Sequence, residues 1–292
     1  MTTERKIKRA VKKTDKWLLD RQKKHMRMVE KAIKNLQNDI IDKVNLLSVS
    51  KGGRLEGLKV NLKQAQKIHR DIELIYDKEF KKTTRKIIED FKFVEDVIEE
   101  NFTYLNESVR FTGMDRTTME VLRDGYWREY LSIGEVQKNK VIQALYNQVI
   151  AGEKFSTLVN TIEQTLMGSD AVGVTGRPLA QYSRLYARDM VMNYQQEVTL
   201  KKAEDINLRH FLYVGDIIAT TRDFCRRRVG KYYTKKQIES WTYRWAGKAG
   251  PAMTYRGGYN CRHHWQPIRP EWLEGKKKIN VADWNLEQRE KG

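Results

Sequence analysis

Cysteine and proline are scarce in this 292-residue chain: there are two cysteines, Cys225 and Cys261, and four prolines, none before Pro178. Two cysteines cannot build a disulfide framework. A first half without proline is free to form long helices. Long apolar runs are missing too. Every apolar stretch is cut by Lys, Arg, Asp or Glu well short of the roughly 18 residues that a membrane helix needs. The basic opening MTTERKIKRAVKKTDKW leads into further charge and not into the apolar segment of a secretory signal. The expectation is a protein made in a cytoplasm, without a membrane span. Also absent are the Gly-x-x-x-x-Gly-Lys phosphate loop, the Gly-x-Ser-x-Gly elbow and the His-Glu-x-x-His helix, so ATPase, hydrolase and zincin readings lack their mechanical parts.

Positive charge is abundant. Lys and Arg number 56 against 38 Asp and Glu, a formal net charge of +18. The excess sits in two places, a local +13 over residues 1–70 and +9 over 205–270, with acidic or balanced sequence between them. A polyanion is the simplest partner, because Lys and Arg gain free energy by releasing its condensed counterions. The competing reading is that Lys-rich helices are merely well solvated. Candidate nucleic-acid contacts near the N-terminus are Lys6, Lys8, Arg9, Lys12, Lys13, Lys23, Lys24 and Arg27. In the second region they are Arg226, Arg227, Arg228, Lys231, Lys235, Lys236, Arg244 and Lys248, interleaved with Tyr232, Tyr233, Trp241, Tyr243 and Trp245. Exposed rings there could stack on bases; the alternative, favoured for the tryptophans, is that the rings fill a small core.

Apolar periodicity predicts a mainly α protein: an elongated N-terminal helical hairpin or bundle, then a small α+β C-terminal domain with short strands. A first helix is expected over about Lys16 to Leu47, with Val29, Ile33, Leu36, Ile40 and Val44 on one face. The break SVSKGGRLEG separates it from one long helix, or two nearly continuous ones, between Gly57 and Gly113, where neither Gly nor Pro occurs. Such helices suit mutual packing or self-association. Shorter helices follow over about Asp115–Leu131, Glu135–Ala151 and Ser156–Leu166, the last with Ser156 as N-cap. GSDAVGVTGRP reads as a linker, Pro178 to about Asp205 as a helix, and HFLYVG as a strand. The expected domains are a long basic helical region (1–112), a helical middle (113–205) and an α+β part rich in Cys, His and aromatics (206–270), ahead of a charged tail (271–292).

From about Val141 to Ile268 four blocks occur in order: IQALYNQVIAGEKFSTLVNTIEQTL, ARDMVMNYQQ, FLYVGDIIATTRDFCRRRVGKYYTKKQI and GGYNCRHHWQPI. In order and spacing they resemble the Mu-like minor head, or head morphogenesis, family of tailed phages. The matching positions are Arg188, Asp189 and Asn193 in the second block, Thr221, Arg222, Cys225 and Gly230 in the third, and Asn260, Cys261, Arg262 and His263 in the fourth. The chain departs from the family pattern where Ala219 and Thr220 precede Thr221, and where Gly258 and Tyr259 precede Asn260. Residues 1–140 carry no family motif. The resemblance implies a non-enzymatic virion component of the phage head, assembled in the host cytoplasm and associated with portal and major capsid proteins. It also implies an influence on packaging or ejection of genomic double-stranded DNA.

The residues leave the chemistry of the last blocks open. Cys225, Cys261, His263 and His264 are all ligand types that zinc favours, although a closed site needs four ligands and so both histidines or an Asp such as Asp223. The alternatives are two buried thiols beside hydrogen-bonded histidines, or a disulfide in the mature particle. No cofactor is expected beyond that zinc. A metal-dependent nuclease using His263, His264 and Asp223 is the enzymatic alternative, poorly supplied with carboxylates. A protein-binding connector whose basic faces meet acidic portal or scaffold surfaces is the third reading.

Overall fold

The computed structural model describes residues 3–104, 111–168, 178–245, 248–258 and 261–273. The fold is mainly α: long helices in the first two thirds, then short strands and short helices. No described helix is long and apolar enough to cross a membrane.

Helix α1 (Thr3–Val44) starts well before the expected Lys16. Its buried positions explain why: Ile7, Ala10, Val11 and Leu18 extend the stripe that Val29, Ile33, Leu36, Ile40 and Val44 continue. The return path is α2 (Leu58–Tyr76), a π-helical turn (Asp77–Lys81), α3 (Lys82–Glu89) and α4 (Lys92–Tyr104). The expected one or two helices are thus interrupted twice, by the wide turn and again at Asp90–Phe91, although no Gly or Pro lies there. The segments Asp115–Leu131 and Glu135–Ala151 are a single helix, α5 (Gly113–Ala151). Its start is set by Thr112, whose side chain accepts from Asp115 N–H while Asp115 accepts from Thr112 N–H, a reciprocal capping pair. Helices α6 (Phe155–Leu166) and α7 (Leu179–Asp205) follow. Ser156 is inside α6 and does not cap it; Lys154 is the N-cap. Most of GSDAVGVTGRP lies outside the described residues.

The C-terminal elements are β1 (His210–Val214), α8 (Asp223–Arg226), β2 (Tyr232–Thr234), α9 (Lys235–Glu239), β3 (Thr242–Trp245), β4 (Lys248–Pro251), α10 (Ala252–Tyr255) and β5 (His264–Ile268), closed by a 3-10 turn at Pro270–Leu273. Strand β1 is central in an antiparallel sheet of order β2-β1-β5, and β3 pairs with β4 as a separate ribbon.

The chain divides into two compact units, and neither is one continuous stretch: residues 1–22, 90–123 and 188–292 form the first, and 23–89 with 124–187 the second. The boundaries expected at 112/113 and 205/206 do not coincide with these. Helices α1, α5 and α7 each supply residues to both units, so the composition shifts along the chain mark ends of elements and not edges of packing.

In the second unit α1 and the returning helices run antiparallel, with Lys43 paired to Asp71, Lys78 to Asp39 and Asn35 to Glu79. The loop between them is clamped by buried Asn61, which accepts from Ser48 N–H and donates to the carbonyls of Ser48 and Glu56. Helix α5 packs closely on the π-helical turn. A Cβ at Gly134 would stand 2.3 Å from Tyr76 Oη and 2.4 Å from Phe80, so Gly134, in the gap between the two helices expected there, permits a close contact within one helix.

In the first unit β1 is buried on both faces. Leu212, Val214 and Ile268 pack against Ile7 and Val11 of α1 in one core cluster. Phe211 and Tyr213 point the other way, as the two-residue period of a strand requires. The outer edge of β5 is covered by α7: Gln196 accepts from Trp265 N–H and donates to Trp265 C=O, standing where another strand would.

Candidate functional site

The residues singled out from the third and fourth sequence blocks meet on the Tyr213 face of the sheet. Arg222 precedes α8, whose short turn carries Cys225 inward; Gly230, at φ 79°, then turns the chain back into β2 and donates to Tyr213 C=O. Thr221 closes the preceding turn by accepting from Ile218 N–H through its hydroxyl. The segment after α10 brings in Gly257, Cys261 and His263. Cys225 Sγ and Cys261 Sγ are 3.7 Å apart, with no disulfide between them. Cys261 Sγ is 3.6 Å from His263 Nδ1. The two sulfurs and a ring nitrogen of His263 all lie within 4.8 Å of one another, and all three residues are buried. Tyr213 Oη stands over the sulfurs, 3.3 Å from Cys225 and 3.7 Å from Cys261, and its ring stacks on His263 at 5.5 Å between centroids.

The surroundings polarise this cluster. Gly257 N–H donates to Cys261 Sγ, and Arg222 holds the same residue by donating to its carbonyl at 2.8 Å. A Cβ on Gly257 would come within 2.2 Å of Cys225 Sγ, so only glycine lets the backbone approach so closely. Arg256 is 1% exposed and donates to Met192 C=O and to Asn193 Oδ1 on α7. The hydrogen bond from Cys225, then His263 and the Arg256 charge, overcome burial and hold the Cys261 thiol well below its ordinary range. The same hydrogen bond, with burial, pushes Cys225 up. Arg188 is near enough to feel Cys261 and Arg262; burial first, then the Arg262 charge, lower its pKa, while Asp189 opposes them.

His264 is not part of the cluster. Its neighbour His263 faces the cysteines, and the alternating side chains of β5 turn His264 onto the α1 face, where Nδ1 is 3.3 Å from Asp15 Oδ1. Burial first, then the Arg256 charge and the adjacent His263 ring, lower the His264 pKa to about 3, which favours its neutral form. Burial and the nearby Asp216 raise the pKa of Asp15. Asp223 is exposed at the start of α8. The four-ligand set Cys225, Cys261, His263 and His264 and the nuclease set His263, His264 and Asp223 are thus not assembled; the pleat separates adjacent histidines. Asn260 lies outside the described residues.

The basic candidates divide similarly. On α1, Arg9, Lys12, Lys13, Lys23, Lys24 and Arg27 are exposed, whereas Lys6 and Lys8 flank the buried Ile7 and are half-buried. Exposed Arg5, Arg9, Lys12 and Lys16 follow helical spacing in the first unit, and Lys23, Arg27, Lys31 and Lys34 do so in the second. Arg5, Lys16, Lys31 and Lys34 were findable from that three-or-four-residue step. Lys13 pairs with Glu100. In the C-terminal region Arg226, Arg227, Lys231 and Lys236 are exposed. Lys235 pairs with Glu204 and Glu239. Arg228 lies over the rings of Phe224 and Trp241 at 3.9 and 4.3 Å. Arg244 and Lys248 are on β3 and β4, with side chains outside the described set. Trp265 is fully buried and contacts the rings of Tyr213, Tyr233 and Trp241; of the candidate rings, Tyr232, Tyr233 and Trp241 are half-buried, and the side chains of Tyr243 and Trp245 lie outside the described residues.

Sequence reasoning missed Arg256 and Gln196, the buried polar residues that hold α7 to the site. No family model, curated protein or solved structure matches the chain.

Proposed function

We propose that the chain is a non-enzymatic minor head component of a tailed phage that associates with portal and capsid proteins and contacts packaged DNA without sequence preference. One observation carries the reading. Motif positions from three separate blocks, Asn193, Arg222, Cys225, Cys261 and His263, serve one small constellation: Arg256 bridges to Asn193, Arg222 holds Gly257, and Gly257 backs both cysteines. These positions from the second, third and fourth blocks all fall in the first compact unit, which supports the resemblance, whereas the first block falls in the second unit.

The basic rows on α1 support the DNA-contact part. Cations at three- or four-residue steps on an exposed helical face, with the opposite face buried, suit a phosphate backbone better than base edges. Binding of the full chain to random-sequence duplexes should therefore fall steeply with salt. If about six cations reach phosphates, log Kobs against log salt has a slope of about −5. Glu substitutions at Arg5, Arg9, Lys12 and Lys16 together should flatten it. Affinity indifferent to salt, with salt-sensitive capture of an acidic portal surface, would favour the connector reading instead.

A further inference from the structure

We infer that Cys225, Cys261 and His263 bind a structural zinc ion, with the Tyr213 hydroxyl at the fourth corner of the tetrahedron. A tetrahedral zinc with Zn–S about 2.3 Å and Zn–N about 2.0–2.1 Å sets two sulfurs about 3.8 Å apart, and a sulfur and a nitrogen about 3.5–3.6 Å apart. The observed edges are 3.7 Å between the sulfurs and 3.6 Å between Cys261 Sγ and His263 Nδ1. An oxygen ligand at about 2.0 Å would lie about 3.5 Å from each sulfur; Tyr213 Oη is 3.3 and 3.7 Å from them. A disulfide requires about 2.05 Å between sulfurs, which the 3.7 Å separation excludes here.

The surroundings match the chemistry. Gly257 N–H donates to Cys261 Sγ at 3.3 Å, the kind of outer contact that orients a metal-bound thiolate. Two thiolates and a phenolate around a divalent ion leave one negative charge. Arg256, buried beside the cluster with its described hydrogen bonds going to a carbonyl and an amide oxygen, supplies the positive charge to balance it. Binding releases to solvent the protons that the thiols and the phenol still carry. The ion ties α8, the segment after α10 and central strand β1 together, so its role is structural. It is independent of the virion reading.

The test is metal analysis of the full chain, purified under reducing conditions and dialysed against zinc-free buffer. One zinc per chain is expected, and cobalt replacement should give the near-ultraviolet thiolate-to-cobalt charge-transfer bands of a tetrahedral site. Cys261→Ser should lose the bound ion, Tyr213→Phe should weaken it ~10–100-fold, and His264→Gln should leave stoichiometry unchanged. Wild-type protein without zinc, carrying two freely titratable thiols or a mass lower by the two hydrogens of a Cys225–Cys261 disulfide, would overturn the assignment whatever the variants do. Retention of zinc by Cys261→Ser, or its loss on His264→Gln in folded protein, would overturn the ligand set.

Discussion

Replacing Lys202 by Met tests how the helices of the first unit are fastened. Lys202 is in the last turn of α7 and 4% exposed; its Nζ is 2.7 Å from Asp115 Oδ2 in the first turn of α5 and 3.3 Å from Asp205. The placement suits both helix dipoles, an acid at an N-terminus and a base at a C-terminus. Burial raises the Asp115 pKa, but hydrogen bonds from Lys202 and Thr112 more than offset that and hold it at about 2. Against an ordinary 3.8, the charged form is favoured by about 2 kcal/mol at neutral pH. Because the folded pKa is depressed, this stabilisation is full above about 3.8 and is lost as pH falls toward about 2. Methionine keeps the length of the side chain and its contact with Phe111 but leaves the carboxylate buried with only Thr112. The expected loss at pH 7 is roughly 2–4 kcal/mol, toward the lower end of the cost of breaking a buried pair because Thr112 remains. The pH dependence should also invert: burial now dominates, so the variant gains stability as Asp115 takes up a proton near or above its ordinary pKa. Urea melts followed by circular dichroism at pH 7 and pH 4 read both effects, and the double variant with Asp115→Asn should recover much of the loss. A loss below about 0.5 kcal/mol, or additive single and double variants, would show that the Lys202–Asp115 pair does not fasten α7 to α5.

Further predictions concern packing and the face opposite the cluster. Gly134→Ala gains helix propensity yet must fit a methyl group 2.3 Å from Tyr76 Oη; a net destabilisation of ~1–3 kcal/mol is expected, and a raised melting temperature would contradict the close packing. Asp15→Asn should stabilise the protein at pH 7, because burial and Asp216 penalise the carboxylate. Since that folded pKa is raised, the advantage should shrink as pH falls toward the ordinary carboxylate range; melts showing an equal advantage at pH 4 would count against it. His264, held at about 3, favours its neutral form, so its contribution is present above about 6.5 and fades as pH falls toward 3.

Much of the helical architecture was legible. The apolar stripe of α1, the break before α2, the helix ending at Asp205 and the strand at His210 all follow from periodicity and from the placement of Gly and Pro. Glycine misled at position 134, where it permits a close approach, and the capping pair of Thr112 and Asp115 hid the true start of α5. In the site, cysteine and histidine were findable by residue type. The separation of His263 from His264 required the strand register, because adjacent side chains diverge only once the pleat is known. Arg256 gave no signal, since its importance lies in burial against α7, more than sixty positions away.

Quantitative mass spectrometry of gradient-purified particles from the source lysate, comparing full heads, empty heads and shells after DNA ejection, tests the proposed virion role. The chain is expected at a few copies per full head and in empty heads; retention or loss on ejection then tells whether it leaves with the DNA. Its absence from every class of particle would contradict the virion reading.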